Sequence, residues 1–302
     1  MALLFTARIL QGISVGVALG ALSAALVDLQ EPGSALGPLV GSAMGPLGLA
    51  AGALLAGELV EHVASPLRTV YWVQLAMFAL ASVAVLALVP ETNKRRPGQR
   101  LELGFALRIP PRARRPFLVL TPGLIATWAL GGLYLSLGPS FTTSLLGIRS
   151  DVVGALVPTT LCGATAVATV LTRSWTDRLA VLGGSLLLAL GAAITIIGIR
   201  TGSALLLFLG SAVAGLGFGA AFAGAFRTLT PLAQPKERAS LIAAVYMGSY
   251  IAFSVPAAIA GLAVTRYGLS DTATGYGLVV IALALAAAVT SPGAESAQHL
   301  HR

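Results

Sequence analysis

The sequence predicts an all-α polytopic membrane protein with about nine transmembrane helices. Three observations carry this reading. Of 302 residues, 56% are hydrophobic and only 10% are charged, where soluble domains carry roughly a quarter; the mean hydropathy is +0.88. Aliphatic runs recur along the whole chain, each at or above the roughly 18 residues that can cross a bilayer core as a helix. Basic residues collect in alternate connectors, the arrangement of loops that stay on one side of a membrane.

The runs fall at 3–27, 37–59, 66–89, 115–137, 152–171, 179–199, 203–226, 240–264 and 273–291. The first carries Arg8 and Gln11 close to its start. A charge in hydrocarbon costs roughly 2.5–3.5 kcal/mol on insertion scales and is tolerated mainly against a cavity or a partner. Arg8 is therefore a candidate functional residue, with snorkelling to the interface as the plain alternative. The second run holds Gly41, Gly45 and Pro46. Glycines four apart, here and at Gly12 and Gly16, lie on one helix face and allow backbones to approach closely. The fifth run is the weakest, since it contains Pro158, several threonines and Cys162, the one cysteine. A single cysteine excludes an intrachain disulfide.

Aromatic residues are sparse within the spans, so their placement is informative. Trp128 and Tyr134 share the fourth run. Phe218, Phe222 and Phe226 lie four apart in the seventh, as do Tyr246 and Tyr250 in the eighth. Trp128, Tyr134, Phe222, Tyr246 and Tyr250 are candidates for an apolar cavity with a few hydroxyls, suited to an amphiphilic substrate of low charge. A core or lipid-facing stripe is the competing reading.

The net charge of +8 does not indicate nucleic acid. Eight basic residues fall between Lys94 and Arg115, in the connector between the third and fourth spans, with only Phe105 among them as a stacking platform. With that connector placed inside and the spans alternating, fourteen basic residues lie inside and four outside. The C-terminus is then cytoplasmic. His62, His299 and His301 form no metal-ligand spacing, and the spans hold no paired carboxylates or Ser-His-Asp set, so neither an enzyme nor a cofactor is expected.

Five stretches in order carry a resemblance. ARILQGISVGVALG, containing Arg8, Gln11 and Gly12, resembles the fourth-helix signature of major facilitator superfamily transporters. GSAMGPLGLAAGALLAG, with Gly41, Gly45 and Pro46, is similar to the fifth-helix motif of the drug:proton antiporters. VPET at 89–92 is similar to the end of the sixth helix. TRSWTDRLAVLGG resembles a worn copy of the loop motif between helices eight and nine and keeps its Asp177 and Arg178. PKERASLIAAVYMGSYIAFSVPAAIAG is similar to the eleventh helix and its preceding loop. The fifth-helix stretch departs from its motif after Pro46, where Leu49 and Ala50 replace a glycine pair.

The resemblance implies a major facilitator-like bundle made of equivalents of helices 4–12. Residues 1–90 would be three helices of the first half, 91–114 a basic cytoplasmic linker, 115–292 the complete second half and 293–302 a cytoplasmic tail. It implies proton-coupled export of a small organic molecule by alternating access, in a bacterial plasma membrane, with Arg8 in proton coupling. The implied partners are the substrate, protons and the lipid bilayer. With three helices of the first half outside this sequence, the chain alone is expected not to transport. A non-transporting membrane protein or gene remnant, and an unrelated polytopic protein that mimics the motifs, stay open.

Overall fold

The computed structural model describes residues 36–89 and 109–290, together with isolated positions between Thr6 and Leu29. The first predicted span and the basic linker therefore lie largely outside the described residues. Among the described residues the chain forms eight long helices: α1 (Leu36–His62), α2 (Pro66–Leu88), α3 (Pro111–Ser140), α4 (Asp151–Leu171), α5 (Asp177–Thr201), α6 (Ala204–Leu229), α7 (Pro235–Tyr267) and α8 (Leu269–Thr290). Each is long and apolar enough to cross a membrane. This is the only secondary structure compatible with a single-pass segment in lipid, because a helix satisfies its own backbone polar groups.

The run expected to be weakest, 152–171, forms an unbroken helix across Pro158. Ser150 caps α4 by accepting from the Val153 amide, and Thr176 and Ser203 do the same for α5 and α6. α3 begins at Pro111, four residues before the span expected from hydropathy. Proline at the first helical position has its backbone angle preset, so Arg112, Arg114 and Arg115 of the basic connector ride on the first two turns of the helix. Short connectors make successive helices antiparallel. One end of the bundle therefore gathers His62 and Asp151, and the other gathers Asp177 and Leu229.

The six helices α3–α8 pack around α3, which touches α4, α6, α7 and α8. The tightest contact is between α5 and α6, and glycine makes it possible. A Cβ on Gly184 would collide with the Ala221 backbone, one on Gly191 with Ala214, one on Gly217 with Leu188, and one on Gly210 with Thr195. As the residue number falls by seven on one helix, it rises by seven on the other. This is the register of an antiparallel pair meeting on one stripe. A second close approach joins α4 to α6, where Gly215 lies on the Leu161 carbonyl and Gly219 on the Thr165 carbonyl. Thr165 Oγ1 bridges that seam to the Gly215 carbonyl at 3.2 Å.

The 36–89 segment meets this unit along one main seam, between α1 and α4. Its buried positions are Ala43, Ala50 and Gly57, seven apart on one stripe of α1. Gly57 packs on Ala155, and Thr159 Oγ1 donates to the Ala50 carbonyl at 3.2 Å. At the end of the seam, Glu61 accepts from Ser150 Oγ at 2.7 Å and from the Val152 amide at 2.8 Å. The carboxylate of one helix thus caps the N-terminus of the other. α2 has no buried residue.

The α1–α4 seam does not use the glycine pairs read from the sequence of α1. Among the described residues, nothing lies within 4 Å of a Cβ added at Gly45, Gly48 or Gly52. The α1 stripe that meets α4 is set by Gly57 and the two alanines, and Gly45 lies well around the helix from it. Gly191→Ala is expected to cost about 1–3 kcal/mol through overpacking. Gly45→Ala is expected to be neutral or slightly stabilising, because alanine is the better helix former. Thermal unfolding of the two purified variants in detergent checks the contrast.

Candidate functional site

Seven aromatic rings converge from three helices. Trp128 on α3 is at the centre, with Tyr250 at 5.1 Å, Phe222 at 5.6 Å, Phe218 at 6.1 Å, Tyr246 at 6.2 Å and Phe253 at 6.4 Å between centroids. Phe226 extends the group through Phe222 and Tyr246. Most pairs are tilted or edge-on, the arrangement that the ring quadrupoles favour. Helical spacing explains the convergence. Phe218, Phe222 and Phe226 form one stripe of α6, and Tyr246, Tyr250 and Phe253 form one stripe of α7. Small residues bring the walls together, since Gly131 lies against Phe218 and Phe253, and Gly132 lies on the Phe253 carbonyl.

The cluster is not a sealed core. Tyr250 is 45% exposed, and the rings of Trp128, Phe222 and Tyr246 are partly so. The charged residues of α3, α6 and α7 all sit in the end turns of those helices, so the rings face one another without a formal charge among them. The Trp128 Nε1 is buried and has no hydrogen-bond partner among the described residues. An indole N–H in this position is usually paired when buried, and leaving a buried donor unpaired costs about 1–3 kcal/mol.

The structure brings Trp128, Phe222, Tyr246 and Tyr250 together, as a single site requires. Tyr134 does not join them. It is fully buried, and its hydroxyl is hydrogen-bonded to Thr195 on α5. The reason is rotation: six residues along an α-helix is 600°, which turns Tyr134 about a third of a circle away from Trp128. It belongs to the core that also holds Leu130, Phe141, Leu161 and Leu188.

The motif residues are dispersed. Arg8 lies outside the described residues. Gln11 and Gly12 are exposed, as are Gly41 and Gly45 on α1, while Pro46 is half-buried. Asp177, the first residue of α5, receives the Arg227 Nε at 2.8 Å, and Arg227 Nη2 reaches the Trp175 carbonyl at 3.5 Å. This ties the α4–α5 turn to the last turn of α6. Arg178 beside it is exposed. At the opposite end Arg200 pairs with Asp271 at 2.8 Å, joining α5 to α8.

Residues 1–198 match the family model of the Major Facilitator Superfamily. The chain belongs to the major facilitator superfamily. It is therefore an integral membrane protein of a family of transporters that move small molecules, rather than a family of enzymes. No curated protein matches the chain. The superfamily match ends inside α5, so Trp128 falls within it and the aromatic residues of α6 and α7 fall beyond it.

Sequence reasoning missed Arg227 as the partner of Asp177 and Glu61 as the cap of α4. Both contacts join residues far apart in the chain, and no local spacing signals them. For Tyr134, replacement by Phe is expected to cost about 1–3 kcal/mol of stability, because Thr195 is left buried without its partner. Ligand affinity at the aromatic cluster should be unchanged. Unfolding and ligand titration on one purified sample separate the two effects.

Proposed function

We propose that this superfamily member exports a weakly charged, amphiphilic aromatic molecule, with the cluster around Trp128 as part of the substrate-binding wall. The carrying observation is that cluster: several rings, partly open, free of formal charge, around an indole N–H with no acceptor among the described residues. A flat apolar ligand would gain ring contacts there, and a carbonyl or ether oxygen on it would pair the indole. Such sites take amphiphilic ligands through an apolar lining and a small number of placed polar groups.

The finer assignment follows the motif resemblance. In this reading the protein is a drug:proton antiporter in a bacterial plasma membrane, with Arg8 in proton coupling and Gly41, Gly45 and Pro46 in the helix that bends during transport. The two units would be 1–90 and 115–292, joined by the basic 91–114 linker. Alternating access would rock them about a site at mid-membrane. The bias of fourteen basic residues to four supports a cytoplasmic linker and C-terminus, which places the Asp177 end inside and the His62 end outside.

The test is binding of a neutral fluorescent aromatic amphiphile with a carbonyl acceptor, such as Nile red, to the protein in nanodiscs, beside export from cells lacking other efflux pumps. Trp128→Ala is expected to weaken binding about tenfold or more, the scale of one large buried side chain at roughly 1.5–3 kcal/mol. Trp128→Phe keeps the ring and loses the N–H, so it should discriminate between ligands with and without an acceptor. Collapse of the proton gradient should stop export. Unaltered binding in Trp128→Ala would sink the site assignment, and export that persists without a proton gradient would sink the coupling.

A further inference from the structure

We propose that Glu61 is a proton-responsive latch: a solvent proton bound by its carboxylate unfastens α1 from α4 and opens the bundle at the His62 end. The side from which the proton comes rests on the orientation proposed above; the latch itself does not.

The α1–α4 contact is the main seam between the 36–89 segment and the six-helix unit. Along much of its length small residues meet, and Thr159 donates to the Ala50 carbonyl at 3.2 Å. A charged fastening lies at the end. The Glu61 carboxylate accepts from Ser150 Oγ and from the Val152 amide, and so occupies the N-terminus of α4. Bonds to an ionised acceptor are roughly twice as strong as neutral ones, and the partial positive charge of a helix N-terminus favours an anion there. Gly57, one turn earlier, lets the two backbones come this close by packing on Ala155.

The sign follows from linkage. The closed seam gains from the carboxylate only while it is ionised. When a proton binds, the carboxyl keeps its shape but loses the charge on which both bonds and the helix dipole act. Closing therefore opposes protonation, and protonation opposes closing to the same degree. The latch holds at neutral pH and weakens as the solution turns acidic. Glu61 is exposed, so a proton reaches it without any pathway through the protein.

Other titratable groups share this end. Glu58 and His62 lie on α1 and are paired with each other at 3.3 Å. Arg149 and Asp151 flank Ser150 on the α4 side, and Arg68 lies in the first turns of α2. His62 is the group most easily mistaken for the sensor, because it is the neighbouring side chain that can also take up a proton. The experiment must separate it from Glu61.

Spin labels on Val60→Cys and Ser144→Cys, in a Cys162→Ser background, report the separation of α1 from the six-helix unit at the His62 end. Both sites are exposed, so the labels do not wedge the seam. Pulsed electron paramagnetic resonance on the protein in nanodiscs gives the distance distribution with both membrane faces at one pH, independent of orientation and of any substrate. The expected result is a short distance at neutral pH and a several-fold larger long-distance population only once the pH falls below the ordinary glutamate range of about 4.3, because the Ser150 and Val152 bonds hold the Glu61 carboxyl lower still. Glu61→Gln should show the long population already at neutral pH and lose the pH dependence. His62→Gln should keep it. A distribution that does not change with pH, a pH response that survives Glu61→Gln, or one abolished by His62→Gln would each overturn the proposal. Because Glu61→Gln is nearly isosteric, circular dichroism equal to the parent's keeps its result a statement about the latch.

Discussion

The close approach of α5 to α6 is the contact on which the rest of the bundle depends. Lipid tails are as apolar as leucine, so helices in a bilayer gain nothing from hiding hydrophobic surface against each other. They associate through dispersion and through the few polar contacts they can make. Dispersion requires surfaces to touch over a long stretch. Gly184, Gly191, Gly210 and Gly217 remove the side chains that would hold the two backbones apart. α6 then presents its other faces to α4, through Gly215 and Gly219, and to α3. The stripe of Phe218, Phe222 and Phe226 is aimed at Trp128 because the glycine stripes on the same helix face elsewhere.

Polar contacts in this molecule do different work at the middle and at the ends. Near the middle they are short-range and neutral: Tyr134 with Thr195, Thr165 with the Gly215 carbonyl, and Tyr276 with the Ala129 carbonyl at 2.7 Å. At the ends they are ionic, as in Arg227 with Asp177 and Arg200 with Asp271. The division follows the dielectric. A charge at mid-membrane carries a heavy desolvation cost, whereas at the interface it can share water. Ion pairs so exposed contribute little to stability, about 1 kcal/mol or less each. Their geometric effect is larger, since they fix which turn lies over which helix end.

The same division sets apart the two regions where the fold is least closed. The aromatic cluster is partly exposed and carries no formal charge, and its buried indole N–H has no acceptor among the described residues. The α1–α4 seam is held by small residues and ends in one carboxylate. The two regions use different helices, α3, α6 and α7 for the rings and α1 and α4 for the seam.

Hydropathy and charge placement were sufficient to read the class, the number of spans within the described residues, and the limits of most helices to within a few residues. Each of these is a local property: a run of aliphatic residues is a helix in lipid wherever it packs. The order of motifs also identified the superfamily. Four of the five aromatic candidates converge because stripes at four-residue spacing are legible in the chain. Which stripe faces which neighbour was not legible. Each residue turns a helix by about 100°, so a small rotation decides whether Tyr134 looks into the core or toward Trp128, and whether Gly45 or Gly57 meets another backbone. The partners of Asp177 and α4, Arg227 and Glu61, lie 50 and about 90 residues away in the chain. Only the packed bundle, in which long-range register is settled jointly by all the helix contacts, decides those pairings.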